Sequence, residues 1–141
     1  MKKNVETTLT VFYCQNSFKE NKRTLEAQAG PRVRLFPIPC SGRLEPLFLL
    51  RALEGGADAA CLFVCPEGAC RYFEGNRRAS KRVAYTQKML KEIGLEEDRV
   101  FITFMSANEK RPPKKMILDA LAAAEKLGPS PLNKAPLKEK K

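Results

Sequence analysis

Leu9-Thr-Val-Phe-Tyr-Cys14 is a strand-length run of β-branched and aromatic residues closed by a cysteine. The construction recurs at Val33-Arg-Leu-Phe36, with Cys40 shortly after, and at Ala60-Cys-Leu-Phe-Val64, with Cys65 directly after. Helical patterns separate the three runs, so the chain reads as consecutive β-α units. In an open parallel sheet all strands point the same way. Residues that end successive strands then gather along one edge, where open α/β proteins bind their ligands. Cys14, Cys40 and Cys65 are expected on that edge, with Cys70 one tight turn beyond the last.

Working outward, Phe18 to Ala29 is a polar, charged segment read as a surface helix that Gly30-Pro31 ends. The second run meets Pro37 and Pro39, which lack a ladder donor and place this strand at a sheet edge or end it early. An order of 2-1-3-4 satisfies that. Pro46 opens a second helix with Leu47, Leu50 and Leu53 as its expected buried stripe and Gly55-Gly56 as its stop. A third, from about Glu74 to Ile93, carries Ala79, Val83, Leu90 and Ile93 on one face. Arg77, Arg78, Lys81, Arg82, Lys88 and Lys91 occupy much of the remainder. A fourth strand, Val100 to Met105, leads through Ser106-Ala107-Asn108 to a helix from Pro112-Pro113 through Met116, Leu118 and Leu121 to Leu127. The expected fold is α/β, a three-layer sandwich with a four-stranded parallel sheet within residues 1–127. Residues 128–141, with Pro129, Pro131, Pro136 and a lysine-rich end, read as a basic, solvated and disordered tail.

The 141 residues, 43% apolar and 30% charged, suit one soluble domain with a proper core. The longest apolar stretch, Ala59 to Cys65, is far below the roughly 20 residues that span a bilayer. The amino terminus has no signal-peptide apolar core, which gives a cytoplasmic expectation. In a reducing cytosol five cysteines serve metals or redox chemistry rather than a disulfide framework. The net charge of +10 is compatible with nucleic acid, an anionic surface or an acidic protein partner. No recognition motif or interleaved aromatic platform favours nucleic acid. The basic face of the third helix reads first as a solvated face and second as a docking surface for an acidic partner.

Four converging thiols in a chain without histidine suit an all-cysteine metal site, and soft thiolates select iron–sulfur clusters, zinc or Cu(I). Structural zinc favours short paired spacings, whereas here every interval but the last is long. Cys61, inside the third run, reads as a buried strand residue that packs as a small hydrophobe.

Cys40-Ser-Gly-Arg43 followed by Pro46, then Gly56-Ala-Asp58 leading into Cys65-x-x-Gly-x-Cys70, Tyr72 and Glu74-Gly-Asn76, resembles the iron–sulfur (delta) subunit of methyl-viologen-reducing hydrogenase. The likeness continues through Gly94, Arg99-Val100 and Ser106-Ala107 and covers roughly residues 9–127. It implies a [2Fe-2S] cluster on Cys14, Cys40, Cys65 and Cys70. It also implies electron relay between a hydrogenase or related dehydrogenase and a heterodisulfide-reductase-type flavoprotein subunit. In such a site backbone amides around Ser41-Gly42 and Gly68 would tune the cluster by hydrogen bonds to sulfur. Three features depart from the family pattern: Ser17 stands where a second amino-terminal cysteine is usual, Arg71 where histidine commonly follows the last cysteine, and Cys61 is extra. A protein of this kind transforms no substrate by itself.

Two other readings stand beside this one. Cys65 to Arg71 fits Cys-x5-Arg, the oxyanion loop of cysteine phosphatases and arsenate reductases, with Cys65 as nucleophile and Arg71 as clamp. That loop follows the first strand in the low-molecular-weight phosphatases, and it leaves Cys14 and Cys40 without a role. The other is a docking adaptor that carries no cluster.

Overall fold

The computed structural model describes residues 7–14, 18, 21–38, 45–64, 75–104 and 110–131. Four β-α units follow one another: β1 (Leu9–Cys14), α1 (Lys22–Ala29), β2 (Val33–Ile38), α2 (Pro46–Glu54), β3 (Ala59–Val64), α3 (Gly75–Glu92), β4 (Val100–Phe104) and α4 (Pro113–Leu127). A 3-10 turn, Glu97–Arg99, precedes β4. All strand pairs are parallel and the order is β2-β1-β3-β4, as the prolines of the second run require. β2 lies at the edge with Pro37 within it, in register with Tyr13.

Alternate residues of each strand feed two separate cores, which is what a sheet covered on both faces requires. On one face Val11, Leu35, Cys61 and Phe63 meet Leu25 of α1 and Ile117, Leu121 and Ala124 of α4. On the other, Phe12, Ala60, Leu62 and Val64 meet Leu49 and Leu53 of α2 and Ala79, Val83 and Leu90 of α3. Each leucine or phenylalanine so enclosed contributes about 1.5–3 kcal/mol relative to exposure.

Two expected stripes shift. In α2 the buried pair is Leu49 and Leu53, one i,i+4 step apart, whereas Leu47 is 51% exposed and Leu50 is half-buried. Nearly every position of this nine-residue helix is apolar, so its periodicity does not choose a face; the sheet does. Ile93 lies past the end of α3 and is 68% exposed, because Gly94, at φ +90, turns the chain and Leu95 takes the buried place. The first helix begins at Lys22 rather than Phe18. Asn21 caps it, accepting from the Thr24 amide at 2.9 Å, and leaves Phe18 outside the helix, buried against Tyr13 and Phe63.

Residues 127–130, where the tail was expected to begin, are held against the sheet. Arg99, 1% exposed, uses all five of its N–H donors. Nη1 donates to the Asp58 and Gly128 carbonyls at 2.9 and 3.0 Å, and Nη2 to the Leu127 and Pro129 carbonyls, both at 3.3 Å. Nε donates to Glu96 at 2.8 Å. The buried carboxylate of Asp58 accepts from the Thr8 and Ser130 amides at 2.9 and 2.8 Å. Residues through Ser130 are thereby fastened to the amino ends of β1 and β3. Among the described residues no helix is long and apolar enough to cross a membrane.

Candidate metal centre

Each helix follows the carboxyl end of a strand, so all four helices start at one edge of the sheet. Their amino termini place positive dipole ends there, a field that favours an anionic group such as a thiolate-ligated cluster. Cys14 stands on this edge. It is the last residue of β1, one of the two central strands, is 1% exposed and is in register with Ile38, the last residue of β2. One residue back, Tyr13 is in register with Phe63, so Val64, which precedes Cys65, ends β3 beside it. The topology therefore sends the carboxyl ends of β1, β2 and β3 to one edge, and of the cysteines expected there Cys14 is among the described residues.

Beneath that edge, on the α1 side, Phe18 meets Tyr13 in a tilted contact and Phe63 edge-to-face, with ring centroids 5.5 and 5.8 Å apart. Burial, and then the nearby Glu26 carboxylate, raise the Tyr13 phenol above its ordinary range, so the ring stays neutral. The α2–α3 side is tied by Arg82, whose Nη1 lies 3.8 Å from Glu45, the residue that caps α2. Arg78 and Lys81 are exposed on α3, consistent with a solvated helix face.

Cys61 is set apart from this group. It sits mid-strand in β3, fully enclosed in the α1–α4 core, and burial pushes its thiol far above the ordinary range. Enclosed mid-strand among apolar side chains, Cys61 packs as the small core hydrophobe that the sequence suggests. Cys40, Cys65 and Cys70 lie outside the described residues, as do Ser41, Gly42, Gly68 and Arg71, and with them the whole Cys65–Arg71 oxyanion loop. Among the described residues no three of cysteine, aspartate, glutamate or histidine gather as a metal-binding group.

The Asp58–Arg99–Ser130 latch escaped the reading of the sequence. Its signal was present, since Asp58 and Arg99 each immediately precede a strand, and adjacent parallel strands bring such residues to one edge. Several residues that carried the family resemblance, Gly56, Asp58, Gly94 and Arg99, thus hold the amino-terminal edge together and are not part of the cysteine edge.

A four-stranded parallel sheet covered by helices on both faces, with a buried cysteine closing one central strand, defines a small α/β protein. The chain belongs to the family described as methyl-viologen-reducing hydrogenase, delta subunit, whose profile matches residues 9–128. It is 37% identical over 109 residues to the iron-sulfur subunit of the vhu F420-non-reducing hydrogenase of Methanocaldococcus jannaschii, covering 77% of this chain and 81% of that relative. To the iron-sulfur subunit of the F420-non-reducing hydrogenase of Archaeoglobus profundus it is 34% identical over 117 residues, 83% and 85% of the two chains. A further similarity, 35% over 97 residues, is to one chain of the ferredoxin:CoB-CoM heterodisulfide reductase of Methanosarcina mazei; it covers 69% of this protein and 12% of that one.

Proposed function

We propose that this chain is an electron-transfer iron–sulfur subunit, relaying electrons between a hydrogenase or related dehydrogenase and a heterodisulfide-reductase-type flavoprotein subunit through a [2Fe-2S] cluster on Cys14, Cys40, Cys65 and Cys70. The observation that carries the reading is the match to a stretch of a heterodisulfide reductase chain amounting to 12% of its length. A domain similar to this one is there covalently part of the protein it would otherwise have to find. The relatives named as iron-sulfur subunits of hydrogenases supply the other end of the relay and the cofactor class.

The donor set fits the cofactor. Four thiolates are what a [2Fe-2S] centre needs, and the chain has no histidine to offer instead. The cluster supplies one-electron redox chemistry when bound. The protein supplies the rest: Cys14 is withdrawn from water, and the helix amino termini compensate anionic charge. Backbone amides near Ser41, Gly42 and Gly68 would donate to sulfur. Arg71, next to Cys70 in sequence, favours the more negative reduced state and so raises the potential. The working unit is a complex with both partner subunits in the cytoplasm.

Anaerobic purification followed by iron and acid-labile sulfide analysis, with visible spectra before and after dithionite, tests this on the wild type and on Cys40→Ser. About two irons and two sulfides per chain, absent from the variant, are expected. A folded wild type without iron would instead favour the Cys65–Arg71 oxyanion loop or a docking adaptor.

A further inference from the structure

The two faces of the sheet are not covered alike. On the α1–α4 face, helices extend over β2 at one edge, where α1 packs. On the opposite face α2 lies against β3 and α3 beside β4, and among the described residues no helix covers β2, whose Arg34 and Phe36 are exposed beside the buried Thr10 and Phe12 of β1. What remains is a cleft of about 660 Å³ along the sheet.

Its floor is Thr10 and Phe12 of β1 with Arg34, Phe36 and Ile38 of β2, the alternate residues that face this side. Phe12 and Phe36 stack there at 5.6 Å. Its wall is one stripe of α2, Phe48, Arg51, Ala52 and Gly55, spaced i, i+3, i+4, i+7. Phe36 and Phe48 are nearly half exposed, large apolar rings at the surface of a soluble fold.

The cleft has the dimensions of a missing helix. Six strand residues span about 20 Å, the length of about 13 helical residues. Two strands at about 4.8 Å spacing give a bed about as wide as a helix. Ala52 and Gly55 lack bulk and permit close approach of a second helix to α2. Completing the layer would set that helix beside α2, as α2 itself sits beside α3.

Charge names the occupant. Among the described lining residues are Arg32, Arg34 and Arg51 and no carboxylate. Arg32 is engaged with Glu125 at 2.8 Å, whereas Arg34 and Arg51 are exposed beside the apolar floor. The flanking sequence of this chain is basic, with Lys2 and Lys3 before the fold and Lys134, Lys138, Lys140 and Lys141 after it. A second copy brings a net charge of +10. Both would be repelled. We propose that this cleft receives an amphipathic helix of a partner protein, with its apolar stripe on Phe12, Phe36 and Phe48 and acidic flanks against Arg34 and Arg51. The upper end of the cleft reaches Ile38, in register with Cys14, so the docked helix lies alongside the cysteine edge. The docking requires no cluster and holds for an adaptor equally.

Two fluorescein-labelled peptides of about 14 residues test it, identical in their i, i+3, i+4, i+7 leucine stripe, one flanked by glutamates and one by lysines. Each carries a photo-crosslinker at one stripe position, and binding to the full chain is read by anisotropy. The glutamate peptide is expected to bind about ten times more tightly or better than the lysine peptide and to crosslink to β2 or α2. Arg34→Glu combined with Arg51→Glu, at exposed positions that do not hold the fold together, should reverse that preference, with unchanged circular dichroism. Equal binding of both peptides, indifference to the double reversal, crosslinks elsewhere, or binding of neither would each overturn the proposal. A wild-type dimer in sedimentation that the double variant dissolves would seat a second copy in the cleft and overturn it as well.

Discussion

The two edges of one sheet are built on opposite principles. At the amino-terminal edge Arg99 and Asp58 spend their donors and acceptors inside the protein, chiefly on backbone groups from three parts of the chain, at hydrogen-bond distances of 2.8 to 3.3 Å. Bonds of this kind fix an arrangement and offer nothing to a ligand. At the carboxyl-terminal edge the four helix starts leave a positive field, and the buried Cys14, proposed above as a cluster ligand, closes a central strand there. A folded domain needs both, and mutations should separate them: damage at one edge should cost stability, at the other function.

The largest expected effect tests the cysteine edge. Cys14→Ala should lose all iron and sulfide while Cys61→Ala retains the full wild-type complement, measured per folded chain. The two positions are only three residues apart in register, since Val11 pairs with Cys61, yet they belong to opposite sides of the sheet. Equal loss in the two variants would make the distinction between ligand and core thiol untenable.

Next is the latch. Arg99→Met leaves four carbonyls without their guanidinium and should cost about 3–5 kcal/mol in urea unfolding. The fraction that stays folded should bind iron as the wild type does. A cost below about 1 kcal/mol would mean that water replaces the guanidinium and that the edge is not held by it.

The alkaline limit follows from Cys61. The folded chain keeps its thiol protonated because burial excludes the charge, while the unfolded chain releases the proton above the ordinary thiol value of about 9. The unfolded state then binds fewer protons, so stability is fully present below pH 9 and declines as pH rises. Cys61→Ala should flatten that decline by about 1.4 kcal/mol per pH unit beyond the thiol's ordinary range. Unfolding curves of both proteins at pH 8, 9 and 10 measure it. Tyr13 has the same sign from pH 10 upward, and Tyr13→Phe separates the two.

The parallel sheet was legible because each strand is a short β-branched run with turn chemistry on both sides, and the edge place of β2 because Pro37 cannot donate. The face of α2 was not. Leu47, Phe48, Leu49 and Leu50 are consecutive apolar residues, and their burial depends on where the sheet lies, which no periodicity records. The cleft is a consequence of the same ambiguity, because Phe48 looks like a core residue until β2 proves to be uncovered. The Asp58–Arg99 pairing spans 41 residues and depends on strand order, so it was visible as a resemblance and not as a mechanism.

The smallest effect sharpens the comparison within the amino-terminal edge itself. Arg32, in the turn before β2, and Glu125, in α4, approach to 2.8 Å, as close as any bond Arg99 makes. Their side chains are 33% and 46% exposed, however, where Arg99 is 1% exposed. Water screens the charges, and two long side chains lose rotamer freedom to meet, so the pair should contribute about 0.2–1 kcal/mol. A double-mutant cycle of Arg32→Ala and Glu125→Ala at 50 mM and 1 M salt measures the coupling, which should fall toward zero at high salt. Arg32 and Arg99 each reach a half-exposed carboxylate at 2.8 Å, so a several-fold larger worth of Arg99 would follow the burial of its guanidinium and of the carbonyls it serves. A coupling of about 3 kcal/mol that survives 1 M salt would instead make proximity the deciding quantity, and the latch would owe its strength to its five bonds and not to its place inside the fold.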